Sequence, residues 1–168
     1  MSRNLRFLIV GMMAWAAIGE ARAAEPSKAA AAFERLASLA GQWKGVQDGK
    51  EIQVTYTLTA NGSALMEEFR PRNGPMMVTL FSVDGDRLLA THYCSAKNQP
   101  QMATEPIADP QAESVAFSLV RVTGLSSAAA WHNTGLMMMH DEDHLTQEWT
   151  YLSDGKAGKT LFHFTRER

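Results

Sequence analysis

Asp48-Gly49-Lys50-Glu51-Ile52-Gln53-Val54-Thr55-Tyr56-Thr57-Leu58-Thr59-Ala60-Asn61-Gly62 is the stretch whose reading decides the fold. Ile52, Val54, Tyr56 and Leu58 alternate with Gln53, Thr55, Thr57 and Thr59. A period of two gives a strand one apolar and one hydroxylated face, as a sheet with one wet side requires. The flanking Asp48-Gly49 and Asn61-Gly62 favour the positive φ of tight hairpin turns, so an antiparallel strand is expected on each side, Gln42 to Gln47 before and Ser63 to Phe69 after.

Outward from this core the pattern repeats. Met76 to Val83, Arg87 to Cys94, Gln101 to Ile107 and Glu113 to Val122 read as strands, separated by Asp84-Gly85-Asp86, by Lys97 to Pro100 and by Asp109-Pro110. Thr123 to Asn133 is rich in Gly, Ser and Ala and reads as a loop; Leu136 to His140, His144 to Leu152 and Lys159 to Arg166 follow as strands. The fold expected is all-β, an antiparallel up-and-down β-barrel of about ten strands, because closure leaves no sheet edge open. Before the strands, Lys28 to Leu39 carries Phe33, Leu36, Leu39 and Ala40 at helical spacing, with Ser27 placed to cap it and Gly41 to stop it. One short N-terminal helix closing an end of the barrel is the expectation.

The ends and the charges bound the setting. Arg3 and Arg6 precede a 12-residue apolar run, Phe7 to Ile18, and Ala21-Arg22-Ala23 has the small-x-small form of a cleavage site. Residues 1–23 therefore read as a signal peptide, too short in its apolar part to span a bilayer, and residues 24–168 as one exported domain, periplasmic or secreted. Without Arg3, Arg6, Arg22 and Glu20 the remaining chain has 13 basic and 17 acidic residues. With no basic cluster in it, nucleic acid is not an expected partner. Cys94 is the single cysteine, so packing rather than an internal disulfide must hold the domain.

Leu36-Ala37-Ser38-Leu39-Ala40-Gly41-Gln42-Trp43-Lys44-Gly45 resembles the helix-then-Gly-x-Trp opening of lipocalin-like (calycin) β-barrels. The resemblance implies that the helix closes the barrel floor, that Trp43 packs there, and that Arg166 lies over Trp43. Small exported bacterial proteins of this type, with no assigned activity, carry segments similar to His92-Tyr93-Cys94, Asn98-Gln99-Pro100 and Asp143 to Trp149. The chain departs from many lipocalins in lacking disulfide cysteines, and from haem-binding nitrobindin-like barrels in lacking a glycine-rich, Tyr-Pro-containing opening; no cofactor is expected.

A barrel of this size is either filled or holds one small apolar ligand. Tyr56, Met66, Val78, Leu80, Phe117, Leu119, Met138 and Phe162 are the inward candidates; in Met137-Met138-Met139 alternate members must face opposite ways. The richest chemistry lies in Thr91 to Met102. His92 and Cys94 are two apart and would share a face, with Tyr93 on the other, while Asn98 and Gln99 can hold a polar loop or orient a ligand. Trp131 is either a lid or a plug at the mouth. His92, Tyr93, Cys94, Asn98, Gln99, Tyr56, Met66 and Trp131 are thus the candidate ligand-binding residues.

No catalytic residue and no metal ligand is assigned. Glu67-Glu68 reads as a solvated pair of which one member can face inward, and the turn holding His140, Asp141, Asp143 and His144 as an exposed acidic turn rather than a cation site. The leading expectation is an exported protein binding a mainly apolar small molecule. Two alternatives stand beside it: an enzyme or a metal- or haem-binding protein using His92 and Cys94 with a second histidine, and a packed barrel acting as a structural or partner-binding module.

Overall fold

The computed structural model describes residues 25–47 and 49–168. The expected signal peptide, and Asp48 of the first turn, lie outside the described residues. Within them are one helix, α1 (Lys28–Ala37), and ten strands: β1 (Gly41–Gln47), β2 (Lys50–Thr59), β3 (Ala64–Pro71), β4 (Met77–Asp84), β5 (Arg87–Tyr93), β6 (Gln99–Ala103), β7 (Ser114–Thr123), β8 (His132–His140), β9 (His144–Ser153) and β10 (Lys156–Arg166). Each strand pairs antiparallel with the next and β10 returns to β1, closing the barrel. Among the described residues no helix is long and apolar enough to cross a membrane.

The turn chemistry is as the sequence implies. Gly49 has φ +71°, and Ala60, Asn61 and Gly62 take three successive positive values, 50°, 55° and 84°, which a glycine and an asparagine tolerate better than other residues. Closure depends on a third glycine. At Gly45, the last β1 residue paired with β10, an added Cβ would stand 2.3 Å from the His163 carbonyl oxygen, so only glycine lets the first and last strands approach.

The helix forms the floor. The Ser27 hydroxyl accepts the Ala30 N–H at 3.1 Å, and Phe33, Leu36 and Leu39 are buried. Trp43 donates its indole N–H to the Leu39 carbonyl at 2.8 Å. The Arg166 guanidinium lies 4.2 Å from the Trp43 ring and donates to the carbonyls of Ser38, Ala40 and Glu142, binding the helix exit to the last strand. Phe81, Leu88, Leu65, Met138 and Leu145 complete a packed lower half.

Three strands depart most from their expected limits. β6 runs Gln99–Ala103 instead of Gln101 to Ile107, because the Thr104 and Ile107 N–H groups turn to the carbonyls of Leu88 and Asp86 and leave β7. β8 starts at His132, four residues before the expected Leu136, and a bulge between Asn133 and Gly135 absorbs the extra residue. β10 starts at Lys156 rather than Lys159.

The phase of two strands is also the reverse of expectation. In β3, Leu65, Glu67 and Phe69 face inward, which puts Met66 on the outer face with Glu68. In β4, Thr79 and Phe81 face inward, and Val78 and Leu80 outward. Glu67 is accordingly not part of a solvated pair: it has no exposed surface at all, while Glu68 pairs with Arg70 outside at 2.9 Å. Phe117, Met138 and Phe162 do fill the interior, and of the three consecutive methionines only Met138 is buried.

Candidate functional site

Successive strand registers align Tyr56 with Glu67, Glu67 with Thr79, and Thr79 with His92, so β2 to β5 contribute one continuous inward row of polar side chains. From the far wall, β9 sends Gln147 and Trp149 into the same level. All six side chains are at least nine-tenths buried. A polar layer thus crosses the barrel above its apolar floor.

The layer is connected in one direction. Trp149 donates its indole N–H to Gln147 Oε1 at 2.9 Å, which fixes the Gln147 amide with its nitrogen toward Tyr56 and Glu67. Gln147 Nε2 then donates to the Tyr56 hydroxyl and to Glu67 Oε2, each at 2.6 Å, and Tyr56 donates to the same oxygen at 2.5 Å. Thr79 donates to Glu67 Oε1 at 3.2 Å, and its oxygen is 2.9 Å from His92 Nδ1. Glu67 is the acceptor on which the donors converge. With Glu67 ionised and taking the Thr79 proton, His92 Nδ1 is the donor to Thr79 and its Nε2 carries the lone pair.

Burial governs the protonation of each group. Desolvation holds the Glu67 carboxyl above the usual carboxylate range, partly offset by donors from Tyr56, Gln147 and Thr79. Tyr56 is pushed well above the usual phenol value by burial and then by the Glu67 charge. His92 is lowered to about 4 by burial, so the imidazole is neutral at physiological pH. Its ring packs against Trp149 with centroids 4.8 Å apart.

Over this layer, at the end opposite the helix, lies a cavity of about 260 Å³. Phe69, Phe162, Met77 and Trp149 supply its apolar wall, and Trp131 and Tyr151 pair at its rim with ring centroids 5.5 Å apart. His92 and Asn133 supply polar surface, with the buried Glu67 directly beneath. Gly158 makes room for the rim: a Cβ there would lie 2.4 Å from Tyr151 Cζ. A broader depression of about 500 Å³ runs along the outside of β1 and β10, past Lys44, Val46, His144 and His163. It lacks the enclosed, convergent polar groups that mark a ligand site.

The structure divides the residues singled out from sequence. Tyr56 and His92 are in the polar layer, and Trp131 is at the rim. Asn98 is a buried anchor: its amide donates to the Trp131 carbonyl at 2.6 Å and its own carbonyl accepts the Cys94 N–H, tying the turn after β5 to the rim loop. The polar loop is held by an amide as expected, and His92 bonds to Thr79 on the neighbouring strand β4. Cys94 is buried just past the end of β5. The strand ends at Tyr93, Cys94 opens a turn, and Ser95 rather than Cys94 lines the cavity. Tyr93 is half exposed on the outer face, and Gln99 bonds outside to Lys97 and Thr123. Met66 faces away from the interior, so it cannot line the cavity.

Sequence reading missed Glu67, Thr79, Gln147 and Asn133. A signal existed for the first: Leu65 and Phe69 flank Glu67 at two-residue spacing, an apolar face interrupted by one acid. Asn133 gave none, since the bulge at Thr134 turns it inward. Asp141 closes its turn by accepting the N–H groups of Asp143 and His144, and no group of three or more candidate metal-ligating side chains occurs among the described residues.

These features define a class: a closed ten-stranded antiparallel barrel with a packed floor, a buried polar layer and a cavity at the mouth. The fold is similar to that of the crystal structure of Rv2717c from M. tuberculosis, with a TM-score of 0.56 and 12% identity over 82% of this chain and 98% of that one. No family model and no curated protein sequence matches the chain.

Proposed function

We propose that this is an exported, lipocalin-like small-molecule binding protein that holds a mainly apolar ligand in the mouth of its barrel. The cavity carries this reading. It is bounded by aromatic side chains, floored by a hydrogen-bonded polar layer, and at about 260 Å³ suits a small molecule. A barrel built only to be stable would gain from apolar side chains in place of Glu67, Gln147 and Tyr56, since burying polar groups opposes folding unless every one is satisfied. The signal-like N-terminus supports export to the periplasm or beyond, and the Trp43–Arg166 stack supports the lipocalin-like assignment.

Native mass spectrometry of protein purified from its own compartment tests the reading. A small-molecule adduct lost on denaturation is expected, and Trp131 and Trp149 fluorescence should change when it leaves. Protein that carries no adduct, and whose fluorescence and melting temperature respond to no member of a panel of small apolar compounds, would overturn it.

A further inference from the structure

We infer that the cavity selects a small neutral molecule with an aromatic or apolar body and one hydroxyl or N–H donor, which it directs onto His92 Nε2. The inference rests on the binding function proposed above and specifies the ligand chemistry.

In the polar layer the Trp149 N–H is taken by Gln147, both Gln147 amide hydrogens by Tyr56 and Glu67, the Tyr56 hydrogen by Glu67 and the Thr79 hydrogen by Glu67. The layer has no donor left to offer upward. What it offers is an acceptor, because the Nδ1 hydrogen of His92 is committed to Thr79, Nε2 has no partner within the layer, and His92 lines the cavity.

Asn133 also borders the cavity, and its Oδ1 is buried without a hydrogen-bond partner. Charge sets the remaining limit. Among the described residues lining the cavity there is no lysine or arginine, and the one ionisable acid is Glu67. A carboxylate or phosphate ligand would find no counter-charge there.

Calorimetric titration of the whole mature protein with phenol, toluene and benzoate tests this. Phenol is expected to bind about tenfold more tightly than toluene, the order of one neutral hydrogen bond, and benzoate more weakly than either. In His92→Asn, whose amide can still donate to Thr79 but lacks the Nε2 acceptor, the ratio of phenol to toluene affinity should fall to about one, whatever the change in toluene affinity itself. Nitrogen-15 NMR of the wild-type imidazole gives a reading that needs no variant: Nε2 should be the unprotonated nitrogen, and its resonance should shift on adding phenol but not toluene. Equal binding of phenol and toluene, a preference for benzoate, or a protonated Nε2 in the free protein would overturn the inference while the binding function stands. Failure of both phenol and toluene to bind would overturn the inference, while the binding function is decided separately by the native adduct and the compound panel.

Discussion

The imidazole of His92 on β5 and the indole of Trp149 on β9 meet across the barrel, ring centroids 4.8 Å apart, although three strands separate them around the wall. With Gln147 reaching Tyr56 and Glu67 from the same strand, this pair divides a packed lower half from a hollow upper one. The tests of the layer begin with protons.

His92 should make the fold acid-sensitive. Its value is lowered from 6.5 to about 4, so between those limits the unfolded chain binds the proton and the folded protein does not. The associated stability is present above 6.5 and lost as pH falls toward 4, up to about 3 kcal/mol. Urea midpoints measured across that range should fall with acidification, and fall less in His92→Asn.

Glu67 should act with the opposite sign. Its value is raised, so the folded state holds the proton more tightly, and the stability linked to that proton is present below the ordinary carboxylate value and lost as pH rises through the folded one. Glu67→Gln removes the titration. Its stability relative to wild type should improve as pH rises, whatever the cost of rearranged hydrogen bonds; a difference independent of pH would contradict the assignment.

Tyr56→Phe keeps the ring and deletes the hydroxyl that accepts from Gln147 and donates to Glu67. A loss of about 1–3 kcal/mol in chemical denaturation is expected, the range for stranding a buried hydrogen-bond partner. The crystal structure of the variant should show Gln147 still held by Trp149.

Gly45→Ala tests closure. The new methyl group would meet the His163 carbonyl at 2.3 Å, backbone that cannot step aside without parting β1 from β10. Destabilisation by more than about 3 kcal/mol is expected, with faster amide exchange concentrated at the β1–β10 seam.

At the floor, Arg166→Lys should fail to replace arginine. Lysine keeps the charge but cannot both cover Trp43 and donate in a fork to Ser38, Ala40 and Glu142. Thermal unfolding should show Arg166→Lys close to Arg166→Ala, each about 1–3 kcal/mol below wild type.

Much of the architecture was readable because it depends on local chemistry. Alternation in Lys50 to Thr59 identifies a strand wherever that segment lies, and the positive φ at Asn61 and Gly62 follows from their own steric freedom. Ser27 caps α1 for the same reason. Met66 shows where this stops. β3 has an acid and apolar residues on both faces, so periodicity names two faces without saying which is inner, and a one-residue change of phase exchanges Met66 for Glu67.

The sequence by itself determined that this is an antiparallel all-β chain with one capped helix, since strand period, turn residues and capping act over a few neighbouring positions. Only the tertiary structure decided that Glu67, Thr79 and His92 form one row and that Gln147 and Trp149 meet them from the far wall. The physical reason is that strand register and barrel closure are collective. They place residues 80 positions apart within 2.6 Å, and no local preference of either residue encodes that distance.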